Sequence, residues 1–184
     1  MTDMVYVFLA DGFEEIEAIG IIDILRRANI DVATVGVSAK AVRGSHGIEV
    51  IADVLADEIT PDERLEAVAL PGGMPGMINL DKSLKVHEFL DYANNTGKLC
   101  AAICAAPSVL GHSGILEGRE ATCYPGFESE LKGASLSDEY VVQSGNVITG
   151  RGPGVTTDFA FKMVEYLAGE ETAEDIRKGM QCRK

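Results

Sequence analysis

The stretch Leu99-Cys-Ala-Ala-Ile-Cys-Ala-Ala-Pro-Ser-Val-Leu-Gly111 decides the fold of this chain. Its first five residues are apolar and predict a buried strand that ends at Ile103. Pro107 is typical of the first turn of a helix, because its missing N–H costs nothing there. Cys104 therefore lies at a strand-to-helix junction, the geometry of a nucleophile elbow with cysteine in place of serine. A helix N-terminus favours the thiolate of such a cysteine. The alternative is an inert cysteine packed beneath the sheet.

The same alternation of strand and helix extends outward along the whole chain. We expect strands at residues 5–10, 32–37, 48–52, 67–70 and 99–103, and short strands near 121, 141 and 147–149. We expect helices at residues 14–28, 84–94, 107–111, 156–167 and 173–178, the last capped by Thr172 and stopped by Gly179. This order predicts an α/β fold with a mostly parallel sheet and helices on both faces. Functional sites in such sheets lie at the carboxyl ends of the strands, here the loops at 11–14, 71–76, 104–107 and 151–154.

Glu17 is the second candidate site residue. On the helix from Glu14 to Ala28 it shares one face with Gly20, Ile21, Ile24 and Ala28, so a carboxyl group lies in an apolar stripe. A buried, unpaired carboxyl tends to keep its proton, and a protonated carboxyl can donate a hydrogen bond to a thiolate. The alternative is a solvated first turn favoured by the helix dipole, which suits Glu15 well, Glu14 in part and Glu17 least.

A glycine-rich loop, Leu70-Pro-Gly-Gly-Met-Pro-Gly76, follows the strand at 67–70. Its paired glycines, Gly72 and Gly73, permit unusual backbone angles and the close approach of a ligand. Backbone N–H groups there can form one side of an oxyanion hole, although a plain turn is the alternative. The loop at 150–154 lacks the spacing of a dinucleotide-binding fingerprint, which excludes that class of cofactor.

Composition and charge limit the kinds of partner that this protein is expected to bind. The chain has 184 residues and a formal net charge of −13, which predicts one domain over 1–184 and no stable binding to nucleic acid. No apolar run reaches the length of a membrane span, and the N-terminal residues lack the basic start of a signal peptide. The four cysteines are interpreted as reduced thiols in the cytoplasm, and no spacing predicts a metal site. His46, His87 and His112 are interpreted as surface or capping residues.

Taken together, four motifs resemble those of the DJ-1/PfpI family, within the class I glutamine amidotransferase-like superfamily. They are Ala10-Asp-Gly-Phe-Glu-Glu-Ile-Glu17, Leu70-Pro-Gly-Gly73, Ala101-Ala-Ile-Cys-Ala-Ala-Pro107 and Arg151-Gly-Pro-Gly154. They follow the order of the family, and the resemblance covers essentially the whole chain. The protease-like PfpI branch has His directly after the nucleophile, where this chain has Ala105. The sequence is therefore most similar to the DJ-1/ThiJ/YajL branch.

The resemblance implies a flavodoxin-like, doubly wound fold and a homodimer. It implies that Cys104 is the nucleophile and that Glu17 is hydrogen-bonded to its sulfur, with no cofactor. Glu14 matches an acidic position at the mouth of the site. Gly73 and Ala105 match positions whose N–H groups form the oxyanion or anion pocket. The chain departs from the pattern at Tyr124, where several relatives have His, and a phenol is a poor base near neutral pH. Tyr124 is then expected to contact substrate or water at the pocket rim.

Two functions of different class follow from the resemblance. The first is a glyoxalase III- or deglycase-like enzyme, a hydro-lyase or hydrolase, in which Cys104 attacks a small α-oxoaldehyde or its early adduct and converts methylglyoxal to lactate. The second is a redox sensor or protective chaperone whose Cys104 is oxidised to sulfinic acid. Both functions need the same thiolate, so the sequence does not separate them. A third function, peptidase, is not favoured, because this sequence contains no plausible Cys-His pair.

The helix from Glu14 to Ala28 also predicts the homodimer on physical grounds. Ile16, Ile19 and Ile22 add a second apolar stripe, although a helix on one face of a sheet needs only one. This second apolar stripe is best buried against a second subunit, most simply in a dimer with two-fold symmetry.

Overall fold

A seven-stranded sheet forms the centre of the computed structural model, which describes residues 3–183. Its strands are β1 (Met4–Leu9), β2 (Val32–Gly36), β5 (Val54–Leu55), β6 (Leu65–Leu70), β7 (Leu99–Ile103), β10 (Val141–Ser144) and β11 (Val147–Gly150). They lie in the order β10-β11-β7-β6-β1-β2-β5. Every neighbouring pair is parallel except β10 and β11. The predicted α/β, flavodoxin-like fold is confirmed.

Two short two-stranded ribbons flank this sheet. The first pairs β3 (Ala41–Arg43) antiparallel with β4 (Glu49–Ile51), and the second pairs β8 (Glu120–Ala121) parallel with β9 (Ser135–Leu136). The extended segment expected at 48–52 is therefore one arm of a hairpin outside the main sheet. That hairpin folds over the start of the first helix, where it shapes the candidate site.

Helices cover both faces of the sheet, as expected. They are α1 (Glu15–Arg27), α2 (Gly76–Asp81), α3 (Leu84–Asn95), α4 (Pro107–His112), α5 (Thr156–Ala168) and α6 (Glu170–Gly179). One buried cluster contains residues of α2, α3 and α4, and the other contains residues of α1, α5 and α6. Of these described helices, none is both long and apolar enough to cross a bilayer.

Register brings the carboxyl ends of four strands together at one edge of the sheet. Ala69 of β6 is paired with Val7 of β1 and with Ala101 of β7, and Ile103 is paired with Gly150 of β11. The loops that follow β1, β6, β7 and β11 therefore meet at this edge. They are the four loops that the sequence analysis singled out.

Two local expectations are wrong. Helix α6 begins at Glu170 and not at Ala173, because Gly169 ends α5 and the chain turns at once into the next helix. Thr172 therefore lies inside α6, where its hydroxyl donates to the Ala168 carbonyl instead of capping a helix start. The short helix α2 was not expected, because it begins at Gly76, the last residue of the glycine-rich loop, and that loop indicated only a turn.

Candidate active site

Cys104 lies directly after β7 in a strained backbone conformation. Its φ is +67°, in the left-handed region that a residue with a side chain rarely adopts. Backbone hydrogen bonds hold it on both sides: its N–H donates to the Gly150 carbonyl at 2.8 Å, and its own carbonyl accepts from the Tyr124 N–H at 2.8 Å. The side chain is thereby fixed at the edge where the strand ends meet. The elbow geometry expected from the sequence is confirmed.

Glu17 is fully buried, as its place on the apolar stripe predicted. Its Oε2 accepts a hydrogen bond from the Gly72 N–H at 2.7 Å, and its carboxyl interacts with the Cys104 thiol. Its Oε1 is buried and accepts no hydrogen bond. Burial raises the pKa of Glu17 to about 7, against the lowering effect of the bonds from Gly72 and Cys104. A neutral, protonated carboxyl fits this arrangement, because an ionised carboxylate oxygen that is buried without a partner is costly.

Gly72 does not fill the role expected for it. Its N–H is directed to Glu17 and is therefore not available to an oxyanion. Gly73 and Ala105 instead direct their N–H groups to the Cys104 sulfur. Gly73 reaches this orientation with a φ of +92°, which is why glycine is needed there. The candidate anion pocket is thus limited to the Gly73 and Ala105 amides, and the Gly72 N–H instead holds the Glu17 carboxyl.

Burial works against the Cys104 thiolate, an effect that the sequence analysis left out. It is the largest cause that raises the pKa of the Cys104 thiol, to about 12, and an ionised Glu17 raises it further. The N–H groups of Ala105 and Gly73 act in the opposite direction. Cys104 and Glu17 therefore titrate as a pair, and the thiolate depends on where their shared proton lies.

Glu14 and Glu15 are buried and hydrogen-bonded, and neither side chain is solvated as in an ordinary first turn of a helix. Glu14 is the N-cap of α1, and its Oε2 accepts from the Glu17 N–H at 2.8 Å, so it helps to orient the buried carboxyl. Glu15 was expected in solvent, and this is wrong: it is 6% exposed and is enclosed by the loop of the β3–β4 hairpin. Its oxygens accept from Ser45 Oγ, from the N–H groups of His46 and Ile48, and from His46 Nδ1.

These bonds set the charge of Glu15. Burial works to raise its pKa, but the hydrogen bonds from His46 and Ile48 outweigh it and hold the pKa at about 2. His46 itself is exposed, and its Nδ1 also lies 4.0 Å from Glu14 Oε1, at the mouth of the site. Glu14, Glu15 and His46 place ligand atoms within 4.8 Å of one another, a grouping with metal-ligand chemistry that the sequence analysis did not predict. Glu15 already accepts four hydrogen bonds, which compete with a cation.

Tyr124, expected at the pocket rim, is 46% exposed, and its N–H donates to the Cys104 carbonyl. Its ring lies over Gly152, where an added Cβ would be 3.2 Å from Tyr124 Cδ2. The ring forms one side of a largely apolar groove. The other residues lining this groove are Pro125, Tyr140, Arg151, Gly152, Pro153, Gly154 and Val155.

The three histidines are engaged away from the sulfur. His46 bonds to Glu15, His87 to Ser113 and the Asp81 carbonyl, and His112 to Asp81 and Glu130. Each of these bonds is made to a group other than the Cys104 sulfur. Of the candidate residues, the fold brings Cys104, Glu17, Gly73 and Ala105 into contact.

The fold and the arrangement of groups around Cys104 indicate a family of proteins, and comparison with known proteins supports the same family. The model of the DJ-1/PfpI family matches residues 3–166, and the chain belongs to that family. The DJ-1/ThiJ branch is supported by its relatives. "Protein dj-1beta" of Drosophila melanogaster is 38% identical over 183 residues, which cover 98% of this chain and 97% of that protein.

Two further relatives bear on function. "Glutathione-independent glyoxalase DJR-1.2" of Caenorhabditis elegans is 34% identical over 173 residues, covering 93% of this chain and 91% of that protein. The solved structure "Toxoplasma gondii DJ-1, oxidized" has a TM-score of 0.93 and 36% identity, with 98% of each chain covered. DJ-1-type proteins thus include a named glyoxalase, and one is known in an oxidised form.

Proposed function

We propose that this protein is a cysteine-dependent enzyme that acts on small α-oxoaldehydes or their early adducts, with Cys104 as nucleophile. The observation that carries the proposal is the convergence on one sulfur of a buried carboxyl, Glu17, and two backbone amides, those of Gly73 and Ala105. These groups supply the nucleophile, the proton shuttle and the anion stabilisation that the reaction needs, without an added cofactor. The similarity to a named glyoxalase supports the same class.

The first step depends on the shared proton of Cys104 and Glu17. Two N–H groups point at the sulfur, whereas only the Gly72 N–H points at the carboxyl. Burial raises the pKa of the thiol above that of the carboxyl, and the two amides act against burial. In the reactive form that we propose, the pair holds a single proton on Glu17 Oε1 and the negative charge is on sulfur. The thiolate then attacks the aldehyde carbon of methylglyoxal and forms a hemithioacetal. The amides of the pocket stabilise its oxyanion, which takes the Glu17 proton, so that Glu17 becomes a carboxylate.

The remaining steps move protons within the substrate. The Glu17 carboxylate removes the hydrogen from the former aldehyde carbon, and an enediolate forms with its negative charge on the former ketone oxygen. Glu17 returns that proton to the neighbouring carbon, and the hydroxyl proton of the former aldehyde carbon passes to the former ketone oxygen. These transfers leave a thioester of lactate on Cys104. Water hydrolyses the thioester, releases lactate and restores the thiol, so the sum is methylglyoxal plus water to lactate. A carboxyl with a pKa near neutrality is suited to both transfers.

An early glycated adduct, a hemiaminal or hemithioacetal, enters the same chemistry when its amine or thiol leaves, because the aldehyde carbon that the thiolate attacks is then restored. The groove beside Tyr124 opens to solvent next to the pocket and leaves space for the amine or thiol that bears the adduct. We therefore include such adducts, in the manner of a deglycase, in the proposed substrate class.

A second candidate function, redox sensing, is favoured by the same strained cysteine and by the oxidised Toxoplasma relative. Attack of the Cys104 thiolate on a peroxide breaks the O–O bond and gives a sulfenic acid with release of water or an alcohol. A second peroxide gives the sulfinic acid. The amides of Gly73 and Ala105 and the Glu17 proton would then bind the new oxygens.

We also propose a homodimer through α1 and a cytoplasmic location. Ile16 and Ile19 are 63% and 44% exposed, and they present an uncovered apolar surface. Ile22 does not belong to it, because its side chain is buried within its own subunit. The cytoplasmic location is supported by the cysteines, all of which are free thiols.

Lactate formation from methylglyoxal tests the enzymatic proposal. Wild type and Cys182→Ser are expected to form lactate at equal rates, since Cys182 lies in the terminal segment away from the pocket, and Cys104→Ala is expected to form none. Equal rates for wild type and Cys104→Ala would remove the proposal. Measured beside it, the peroxide oxidation rate of Cys104 decides between the two functions: rapid oxidation without lactate formation would favour the sensor.

A further inference from the structure

His112 lies where three segments that carry parts of the Cys104 pocket meet. Its Nδ1 is 2.9 Å from Asp81 Oδ2, at the end of α2, and its Nε2 is 2.9 Å from Glu130 Oε2. Helix α4 begins shortly after Cys104 and ends at His112 itself. The side chain is 25% exposed, so the network is partly shielded from solvent.

The geometry fixes the charge of this ring. Carboxylates accept hydrogen bonds and do not donate them, so both ring nitrogens of His112 must carry hydrogen and the ring is an imidazolium. Partial burial works to lower the pKa of His112, but the bonds to Glu130 and Asp81 outweigh it and the pKa is raised. Lys132, from the segment after Glu130, acts against the positive charge. His87 of α3 is the other titratable group at this corner, where its Nε2 lies 3.7 Å from Asp81 Oδ1.

Asp81 depends on this imidazolium. Its Oδ1 is buried and has no hydrogen-bond partner, so the bond from His112 to Oδ2 is the main compensation for its charge. The backbone at the same corner is also packed tightly. A Cβ at Gly111 would lie 2.2 Å from the Glu130 carbonyl oxygen, so the absence of a side chain lets the turn at Glu128–Glu130 rest directly on α4.

We propose that His112 is a positioning residue for the Cys104 pocket, clamping together the far ends of the segments that begin at Gly73, Ala105 and Tyr124. Gly73 precedes α2, Ala105 precedes α4, and Tyr124 precedes the turn that carries Glu130. The clamp thus acts at the C-terminal ends of two short helices, and the N–H groups directed to the sulfur belong to residues just before their N-terminal ends. The inference rests on the proposed function only in taking Cys104 as the reactive group, and His112 itself does not contact substrate.

The clamp makes the pocket sensitive to pH. The pKa of His112 is raised, so the imidazolium is complete below the ordinary pKa of histidine and is lost as the pH rises through the raised value. Loss of the charge leaves Asp81 and Glu130 facing a neutral ring that can donate to only one of them. Helices α2 and α4 are then free to separate, and the two amides stabilise the sulfur less well.

Alkylation of Cys104 by iodoacetamide, relative to a small free thiol at the same pH, reports on the pocket without requiring turnover. His112→Gln is expected to slow it about fivefold at neutral pH, well short of the ~100-fold that a full 1 Å displacement of reacting groups can cost. It should also remove the alkaline decline of the wild-type profile. Lys98→Gln is the matched control, because it breaks a pair of similar exposure (29% and 31%) with Glu66 at the opposite end of β7. It should leave the profile unchanged.

Glu130→Gln provides a second, independent readout. The variant retains His112 but removes one of its two carboxylate partners, so the ring should titrate at lower pH in an NMR experiment. The decline of Cys104 alkylation should move to lower pH with it. The proposal is overturned if alkylation does not follow the ring titration, or if His112→Gln behaves as Lys98→Gln does at every pH. Failure to form lactate, with the His112 dependence intact, would instead remove only the proposed function.

Discussion

The Gly72 N–H donates to Glu17 Oε2 at 2.7 Å and so joins the end of β6 to the first turn of α1. The Glu14 N–H donates to the Gly72 carbonyl at 2.9 Å and completes the link. This pair of bonds fixes the carboxyl with Oε2 as acceptor and leaves Oε1, which is buried without a hydrogen-bond partner, as the atom that the proposed mechanism protonates. In that mechanism the reactivity of the cysteine depends on the Gly72 amide, which is directed to Glu17.

Gly72→Ala tests this link. An added Cβ would lie 2.7 Å from Cys104 Cβ and 2.9 Å from the Ile103 carbonyl oxygen, so the loop must move and the bond to Glu17 must lengthen. We expect a loss of about 1–3 kcal/mol in the free energy of unfolding, the usual cost of overpacking, together with slower Cys104 alkylation. Urea unfolding and alkylation kinetics measure the two effects. Gly179→Ala, which meets no atom within 4 Å, is the control.

Glu17→Gln should change the pH dependence of stability. The folded pKa of Glu17 is raised from 4.5 to about 7, so the native state binds an extra proton between these values. The free energy of unfolding of the wild type therefore falls as the pH rises through this window. The glutamine does not titrate, so the variant should lose this part of the slope. Urea unfolding across the same pH range provides the comparison, and parallel curves for the two proteins would show that Glu17 is not buried as a neutral acid.

Glu15 should behave in the opposite way. Its folded pKa is held at about 2, so its contribution to stability is present above its unfolded pKa of 4.5 and is lost as the pH falls towards 2. Glu15→Gln is expected to destabilise the protein at neutral pH and to differ little from wild type in acid. Thermal unfolding followed at both extremes checks this. A variant as stable as wild type at neutral pH would mean that the hairpin loop does not need the carboxylate.

The dimer prediction depends on Ile16 and Ile19. Placing a charge on this face, as in Ile16→Asp, should leave the fold intact and shift sedimentation from dimer to monomer at micromolar concentration. Leu84→Asp is a suitable control, because Leu84 is 85% exposed at the start of α3, on the other face of the sheet. A wild type that sediments only as monomer would contradict the prediction directly.

The elements that sequence patterns predicted well are those whose stability is local or purely apolar. Strand β7 and helix α4 followed from an apolar run and a proline, and the burial of Glu17 followed from helical spacing. Such patterns report which face of an element is buried. They do not report which polar groups meet across the fold.

The features that the sequence did not predict all depend on polar groups that meet across the fold. Glu15 looks like an ordinary first-turn acid, because its partners, Ser45, His46 and Ile48, come from a hairpin distant in sequence. Nothing in the paired glycines indicates that the Gly72 amide is directed to a carboxyl while the Gly73 amide is directed to sulfur. Nor does the spacing of His112 reveal two carboxylates contributed by other segments.

The most direct test of the whole account is the pH dependence of alkylation at Cys104 in wild type and Glu17→Leu, followed by peptide mass spectrometry. Burial is the largest cause that raises the pKa of Cys100 to about 12 and that of Cys123 to about 11. It acts on Cys104 as well, but Cys104 also has the Glu17 carboxyl and the amides of Gly73 and Ala105 beside it. Cys104 should therefore react fastest of the four cysteines at about pH 6 to 7, below the ordinary range of a free thiol.

Replacing Glu17 by Leu leaves the buried sulfur without its donor, so the midpoint of the Cys104 titration should move to higher pH, with Glu17→Gln between the two. A midpoint in Glu17→Leu that is unchanged, or lower than in wild type, would show that Glu17 does not supply the proton that stabilises the thiolate.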